Sequence, residues 1–337
     1  MSKPRVVVGS LGGTITMTSG TPGQGVAPTL QASDLLAAVP SLAEVAELRA
    51  HTLRTAPGAW LHPVQVLEAL GWAAGQADGA EGVVLVQGTD TIEETSYLLD
   101  LHWGRPEPLV VTGAMRTPSA PGADGPANLL GAVTVAGARV SRGRGVLVVM
   151  HDEVHAATRV RKSDSVSPSA FSSGPFGVLG RLHEGAVTYA GRPDRWPALP
   201  QPVPGRDPRV ALLETGLGDD GELLRLVCAA GYDGVVVSAF GAGHVSEGLA
   251  AAVGEAVAAG MPVVLSSRTG SGPVLRGTYG FVGSEQDLIA RGAVPSGWTD
   301  ARKARLLLWS LLAADAPGEV VRAVVAERGA GPGGPPA

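Results

Sequence analysis

Thr89, Asp90 and Thr91 follow directly on an apolar run that ends at glycine, Gly82-Val83-Val84-Leu85-Val86-Gln87-Gly88. A threonine hydroxyl beside a carboxylate can attack a carbonyl or relay a proton if a base activates it. Asp90 could equally hold a ligand's ammonium group. A plainer role is open to the same residues, since Asp90 or Thr91 could cap a helix starting near Ile92. A second threonine, Thr14, follows Leu11-Gly12-Gly13, where paired glycines allow a tight turn and a close backbone approach. No Gly-Lys-Ser/Thr follows, so this is not a phosphate loop, and the dinucleotide fingerprint is absent too. The run Arg159-Val160-Arg161-Lys162-Ser163-Asp164 supplies Lys162. Drawn into a semi-buried site, that lysine could act as a base without any histidine. Left on the surface, the run is a solvated basic patch.

Other candidates carry less. His151-Asp152-Glu153-Val154-His155 places its glutamate wrongly for the helical zinc motif and offers no third ligand, so no metal is expected. His244, in Gly241-Ala242-Gly243-His244-Val245-Ser246, follows an apolar run and suits either a structural role or a ligand contact. Gly270-Ser271-Gly272 lacks the spacing of a nucleophile elbow.

These residues need a scaffold, and the apolar runs describe one. Runs at Val6–Leu11, Val83–Val86, Leu109–Val111, Val146–Met150, Val210–Leu213, Val235–Val237 and Val263–Leu265 read as buried strands. Helical spacing recurs between them, over Ser33–Val39 with Ser33 as N-cap, and over Leu61–Ala74, Thr91–Trp103, Asn128–Arg139 and Asp219–Ala230. The alternation predicts an α/β chain: a large, mostly parallel, doubly wound N-terminal domain and a smaller C-terminal α/β domain. Ligands of such sheets bind beyond the carboxyl ends of the strands, where Thr14 and Thr89 stand. Five prolines within 196–208 mark a stiff linker. The predicted division is 1–195, the linker 196–208, a second domain 209–328, and a disordered tail 329–337. The glycine-rich stretch Ser19–Gly25 reads as a mobile lid.

Composition narrows the partners. The chain has 337 residues, a hydrophobic fraction of 45% and a formal net charge of −5 without long single-sign runs. Nucleic-acid binding has no electrostatic footprint here. No apolar stretch approaches a bilayer span or a secretory signal, so no membrane partner is expected and the cytoplasm is the default. Cys228 is the only cysteine, which excludes an intrachain disulfide.

Taken together, the chain from Val6 to about Ala314 resembles the bacterial-type L-asparaginase family. Gly12-Gly13-Thr14-Ile15 looks like the family's first signature, and Val83–Thr95, with Gly88-Thr89-Asp90-Thr91, looks like its second. Thr112–Arg116, Ala123–Pro126 with Asn128-Leu129, Gly145–Met150, Gly231–Gly234 and Lys303–Arg305 follow in the family's order. The resemblance implies hydrolysis of L-asparagine to L-aspartate and ammonia through an acyl-enzyme, with no cofactor. Thr14 would be the nucleophile. Thr89 and Lys162 would activate the attacking groups, and Asp90 would hold the substrate α-ammonium. Gly58, Ala59, Gly88, Ala114 and His244 would line the substrate site. It also implies a homo-oligomer, dimer or tetramer, with sites at the subunit interface and His244 near a neighbouring chain's site.

The chain departs from the family pattern at several points. Leu11 replaces a threonine, Gln87 replaces a histidine, and no tyrosine occurs before Tyr97, although the family's lid carries one. The polar pair that clamps the substrate carboxylate falls at Gly58-Ala59. No acidic residue stands between Ser266 and Tyr279, where the second domain would contribute one. A different or larger amide and a non-catalytic amino-acid-binding homologue are therefore the alternatives. The amide-hydrolysing subunit of a tRNA-dependent amidotransferase would bring an additional N-terminal domain, whereas the first strand begins almost at Met1.

Overall fold

The computed structural model describes residues 2–19 and 26–330. The glycine-rich stretch 20–25 and residues 331–337 of the expected tail lie outside the described residues. The chain divides into two units, Met1–Ala198 and Leu199–Ala337, with the division inside the proline-rich segment.

The first unit contains strands β1 (Arg5–Gly12), β2 (Met17–Ser19), β3 (Val26–Pro28), β4 (Glu47–Ala56), β5 (Gly82–Val86), β6 (Leu109–Thr112), β7 (Val146–Met150), β8 (Glu153–Ala156), β9 (Arg161–Lys162), β10 (Phe171–Ser172), β11 (Gly180–His183) and β12 (Ala186–Tyr189). Its helices are α1 (Ala32–Ala37), α2 (Leu42–Val45), α3 (Pro63–Ala77), α4 (Ile92–His102) and α5 (Gly125–Gly137). Eight strands form one sheet in the order β12-β11-β8-β7-β6-β5-β1-β4. From β4 to β7 the pairing is parallel, and β8, β11 and β12 add antiparallel strands.

Every residue of β5, β6 and β7 is buried. Both faces of these strands are covered, which is why they read as unbroken branched apolar runs. Val8, Val84, Val86 and Val110 pack with Leu35, Leu42, Leu129 and Val133 of α1, α2 and α5. On the other face, Gly9 lies against Trp72 of α3 and against Leu85, leaving no room for a Cβ.

The parallel order has a consequence for function. The chain goes from β1 outward to β4, then returns to β5 on the other side of β1. The strand order therefore reverses between β1 and β5. In open parallel sheets this reversal opens a crevice at the carboxyl ends of the two strands. Thr14 follows β1 and Thr89 follows β5.

The second unit has strands β13 (Val210–Glu214), β14 (Gly234–Ala239), β15 (Val263–Ser267) and β16 (Val294–Pro295), in that order and all parallel. Helices α6 (Glu222–Ala229), α7 (Glu247–Ala258), α8 (Glu285–Ala290), α9 (Ala301–Ala313) and α10 (Gly318–Gly329) complete it. Its core joins Val235, Val237 and Leu265 with Leu249, Val253 and Leu288.

The sequence runs leave out β4, and two expectations need correction. β4 reads as no strand in the sequence, because Glu-Leu-Arg-Ala-His-Thr-Leu-Arg-Thr-Ala is polar and carries little apolar run. It is an edge strand, where charged side chains protect unpaired backbone. Ser33 is not the cap of the first helix. Gln31 is, and its backbone N–H donates to Asp34 Oδ2 at 2.8 Å. Asp90 and Thr91 do not cap α4 through their side chains. Both are engaged elsewhere.

Candidate active site

The loops after β1, β4, β5 and β6 meet at one end of the sheet, and glycines permit the contact. Gly13 adopts φ 89°, and a Cβ there would collide with the Gly88 backbone nitrogen and Cα. Gly58 leaves only 3.0 Å between a hypothetical Cβ and Gly88 O. These positions carry Thr14, Ala59 and Thr89 on touching backbones. Gly113 extends the cluster, since its Cβ would lie 2.5 Å from Gln87 O and 3.3 Å from Thr89 Cγ2.

Thr89 opens a single 3-10 turn, Thr89–Thr91, at the mouth of β5. It is buried, whereas the Asp90 side chain is 64% exposed. Lys162 arrives from β9, where it pairs opposite Phe171 of β10. Its Nζ donates to Thr89 Oγ1 and to Asp90 Oδ1, both at 3.0 Å. When Lys162 carries its full set of hydrogens it can only donate, and Thr89 then accepts from it and keeps its own hydrogen to direct elsewhere. The arrangement is an amine hydrogen-bonded at once to a hydroxyl and to a carboxylate. The backbone N–H of Lys162 donates to Glu93 Oε2 at 2.6 Å, which anchors β9 to the first turn of α4.

Thr14 begins the 3-10 turn Thr14–Thr16. The turn is closed by Thr16, whose Oγ1 donates to Gly13 O at 2.7 Å. The Thr14 side chain is half-buried, and its hydroxyl has no hydrogen-bond partner among the described residues. That leaves it available to a ligand. Beyond β6, Ala114 is fully buried and its loop is held from outside. Asp124 accepts from the backbone N–H groups of Met115 (2.9 Å) and Arg116 (2.8 Å), and Asn128 Nδ2 donates to Gly113 O at 3.0 Å. Gly58 and Ala59 lie in the turn Gly58–Trp60 after β4, followed by the 75% exposed ring of Trp60.

The structure thus brings Thr89, Asp90 and Lys162 into hydrogen bonding, and sets Gly13, Gly58 and Gly88 in backbone contact. His244 belongs to the second unit. Its Nε2 lies 3.2 Å from Glu285 Oε2, and its ring meets Tyr279 and Phe281 edge-on. Glu285 is fully buried. Burial alone would push its carboxyl up, but the N–H groups of Tyr279 and Thr278, each at 2.7 Å, and His244 hold it below the usual carboxylate range. This carboxylate lies six residues after Tyr279. The signal that marks it is Ser284, the N-cap of α8.

Local sequence does not reveal the anchoring of Lys162 by Glu93 or the loop-holding roles of Asp124 and Asn128. No cluster of three or more potential metal-binding side chains occurs among the described residues. His151 adopts φ 54° in a tight turn, while His155 is buried with Nδ1 2.9 Å from Ser173 Oγ. Burial, reinforced by the Arg181 charge, lowers the His155 pKa to about 4. The unfolded histidine titrates near 6.5, so the neutral form stabilises the fold above that value. The contribution disappears as pH falls from about 6.5 to 4 and amounts to about 3 kcal/mol. Urea unfolding at pH 7 and pH 4.5 should register most of this loss, and His155→Gln should remove that part of the pH dependence.

An alcohol, an amine and a carboxylate thus stand within hydrogen-bonding reach at a strand-order switch. The asparaginase N-terminal domain model matches residues 5–195, and the glutaminase/asparaginase C-terminal domain model matches residues 209–325. A probable L-asparaginase of Deinococcus radiodurans is 34% identical over 335 residues, covering 96% of this chain and 97% of that protein. A probable periplasmic L-asparaginase of Haemophilus influenzae is 32% identical over 317 residues, covering 90% and 87%. The crystal structure of a probable cytoplasmic L-asparaginase from Campylobacter jejuni matches with a TM-score of 0.85 at 28% identity, covering 96% of this chain and 99% of that one. The chain belongs to the asparaginase family. It is an amidohydrolase of the asparaginase type, built from a larger and a smaller α/β domain.

Proposed function

We propose that the protein hydrolyses L-asparagine to L-aspartate and ammonia, with Thr14 as nucleophile. The observation that carries the reading is the position of Lys162 Nζ, 3.0 Å from both Thr89 Oγ1 and Asp90 Oδ1. Thr14 Oγ adds to the side-chain amide carbon, and its proton passes to a base. Backbone N–H groups near Thr89 and Ala114 stabilise the oxyanion. The C–N bond breaks, the nitrogen takes up the proton and leaves as ammonia, and an ester to Thr14 remains. Water then adds to the ester carbon and gives its proton through Thr89 to the Lys162 amine; as the ester C–O bond breaks, that proton is returned to Thr14 Oγ and restores its hydroxyl. Asp90 pairs with the substrate α-ammonium, an exchange that its exposure permits. Gly58, Ala59 and Gly88 supply backbone around the substrate carboxylate. The family pattern further supports a homo-oligomer, with His244 serving a neighbouring chain's site. A cytoplasmic location is in line with the name of the probable cytoplasmic Campylobacter jejuni protein, whereas the Haemophilus influenzae relative is named periplasmic. No helix among the described residues is long and apolar enough to cross a membrane.

A second reading, hydrolysis of a larger amide, is favoured by one feature. The position of the carboxylate clamp holds Gly58 and Ala59, without polar side chains, and Trp60 is exposed beside them. A site that hydrogen-bonds its ligand discriminates far more strongly than one that does not. A kinetic panel of L-asparagine, L-glutamine, D-asparagine and asparaginyl peptides decides between them. The proposal expects the highest kcat/KM for L-asparagine, with ammonia and aspartate released in equal amounts. A higher kcat/KM for the peptides would install the second reading, and binding without ammonia release from any of them would contradict both.

A further inference from the structure

We propose that Gln87 is a positioning residue that fixes the Gly58–Ala59 turn against the Thr89 loop, and so sets how tightly the substrate is held. The inference rests on the function proposed above. Gln87 is fully buried at the end of β5. Its Nε2 lies 3.2 Å from Gly88 O and 3.3 Å from the hydroxyl oxygens of both Thr91 and Thr95, three acceptors served by two hydrogens, so the neighbouring hydroxyls share one of them. Thr91 passes the connection on, since its Oγ1 donates to Gly58 O at 3.1 Å. Gly58 O also accepts from Leu61 N–H at 3.2 Å, the bond that closes the turn. One side-chain chain therefore runs from the loop of Thr89 to the turn after β4.

The direction of this chain is fixed by chemistry. A carbonyl only accepts, so Thr91 must spend its single hydrogen on Gly58 O and take one from Gln87. Gly88 O likewise demands a donor. The amide nitrogen of Gln87 must face both, and its Oε1 is left buried with no hydrogen-bond partner among the described residues. A flipped amide would set two carbonyl oxygens against each other. Native proteins leave few buried polar atoms unpaired. Here the unpaired oxygen accompanies the one orientation that serves Gly58.

The geometry assigns distinct outcomes to four variants. Gln87→Glu keeps the shape but turns the donor into an acceptor, which draws the Thr91 hydrogen away from Gly58. Thr91→Val cuts the chain one step later. Gln87→His retains an N–H donor. Thr95→Val removes a partner of Gln87 that does not reach Gly58. Hydrogen exchange of residues 58–61 in the ligand-free full chain should accelerate about tenfold in Gln87→Glu and Thr91→Val, the size of one lost hydrogen bond. KM for L-asparagine should rise by about tenfold in the same two variants, with kcat within about threefold. Gln87→His and Thr95→Val should stay close to wild type in both measurements. Unchanged exchange in both Gln87→Glu and Thr91→Val, or an equal acceleration in Thr95→Val, would overturn the proposal. If Gln87→Glu does not fold, Thr91→Val carries the decision. Wild-type protein that cleaves no asparagine would remove the proposed function, and the exchange measurement would still decide the positioning role.

Discussion

Thr14→Ala is expected to lower kcat for L-asparagine on the order of 10^4-fold or more, the scale reached when a hydrolase loses its nucleophile. The residual rate would come from substrate positioning and the backbone donors around the oxyanion. The fold should hardly notice. The Thr14 hydroxyl bonds to no described residue, and the turn beneath it is closed by Thr16 and Gly13. Half-exposed substitutions that break no such feature stay within about 0.5 kcal/mol. An unchanged urea midpoint together with lost turnover would separate chemistry from folding. Thr14→Ser, which keeps an attacking oxygen, should retain far more activity. Mass spectrometry after a rapid quench should find the aspartyl ester in wild type and none in Thr14→Ala.

Lys162→Met carries the second largest expected effect, a loss on the order of 10^3-fold in kcat, within the range measured for removal of a general base. Methionine keeps most of the stem, and the backbone N–H of residue 162 keeps its bond to Glu93. Asp90, the carboxylate left behind, is 64% exposed and can be hydrated. No unpaired charge is buried, so stability should fall by no more than about 1 kcal/mol, the scale of an exposed ion pair. Thr89→Val breaks the same relay at its hydroxyl and should lose a similar factor. Because Thr89 and Lys162 act as one unit, the double variant should be little worse than either single one. Additive losses would show that the two residues act separately.

The parts legible in the sequence are those written locally. Fully buried strands such as Gly82–Val86 announce themselves as branched apolar runs, and their carboxyl ends locate Thr14 and Thr89. The resemblance to a family added what local pattern could not, namely the choice of Lys162 from a run that looks like ordinary basic surface. What stayed hidden depends on distant contacts. Glu93 suits the start of α4 by its charge, and only the fold shows its carboxylate taking the N–H of a residue 69 positions away. Asp90 and Thr91 look like helix caps, yet one is committed to Lys162 and the other to Gly58. β4 escaped notice because an edge strand needs few apolar residues. Glu285 escaped because its burial is created by Thr278, Tyr279 and His244 folding over it, not by its neighbours in sequence being apolar.

Two threonines and one lysine at the crevice between β1 and β5 carry the proposed chemistry. Steady-state ammonia release from L-asparagine, compared between wild type and Thr89→Val under saturating substrate, tests it most directly. The account predicts one ammonia per aspartate from wild type and a rate on the order of 10^3-fold lower from the variant. Turnover by Thr89→Val near the wild-type rate would contradict it.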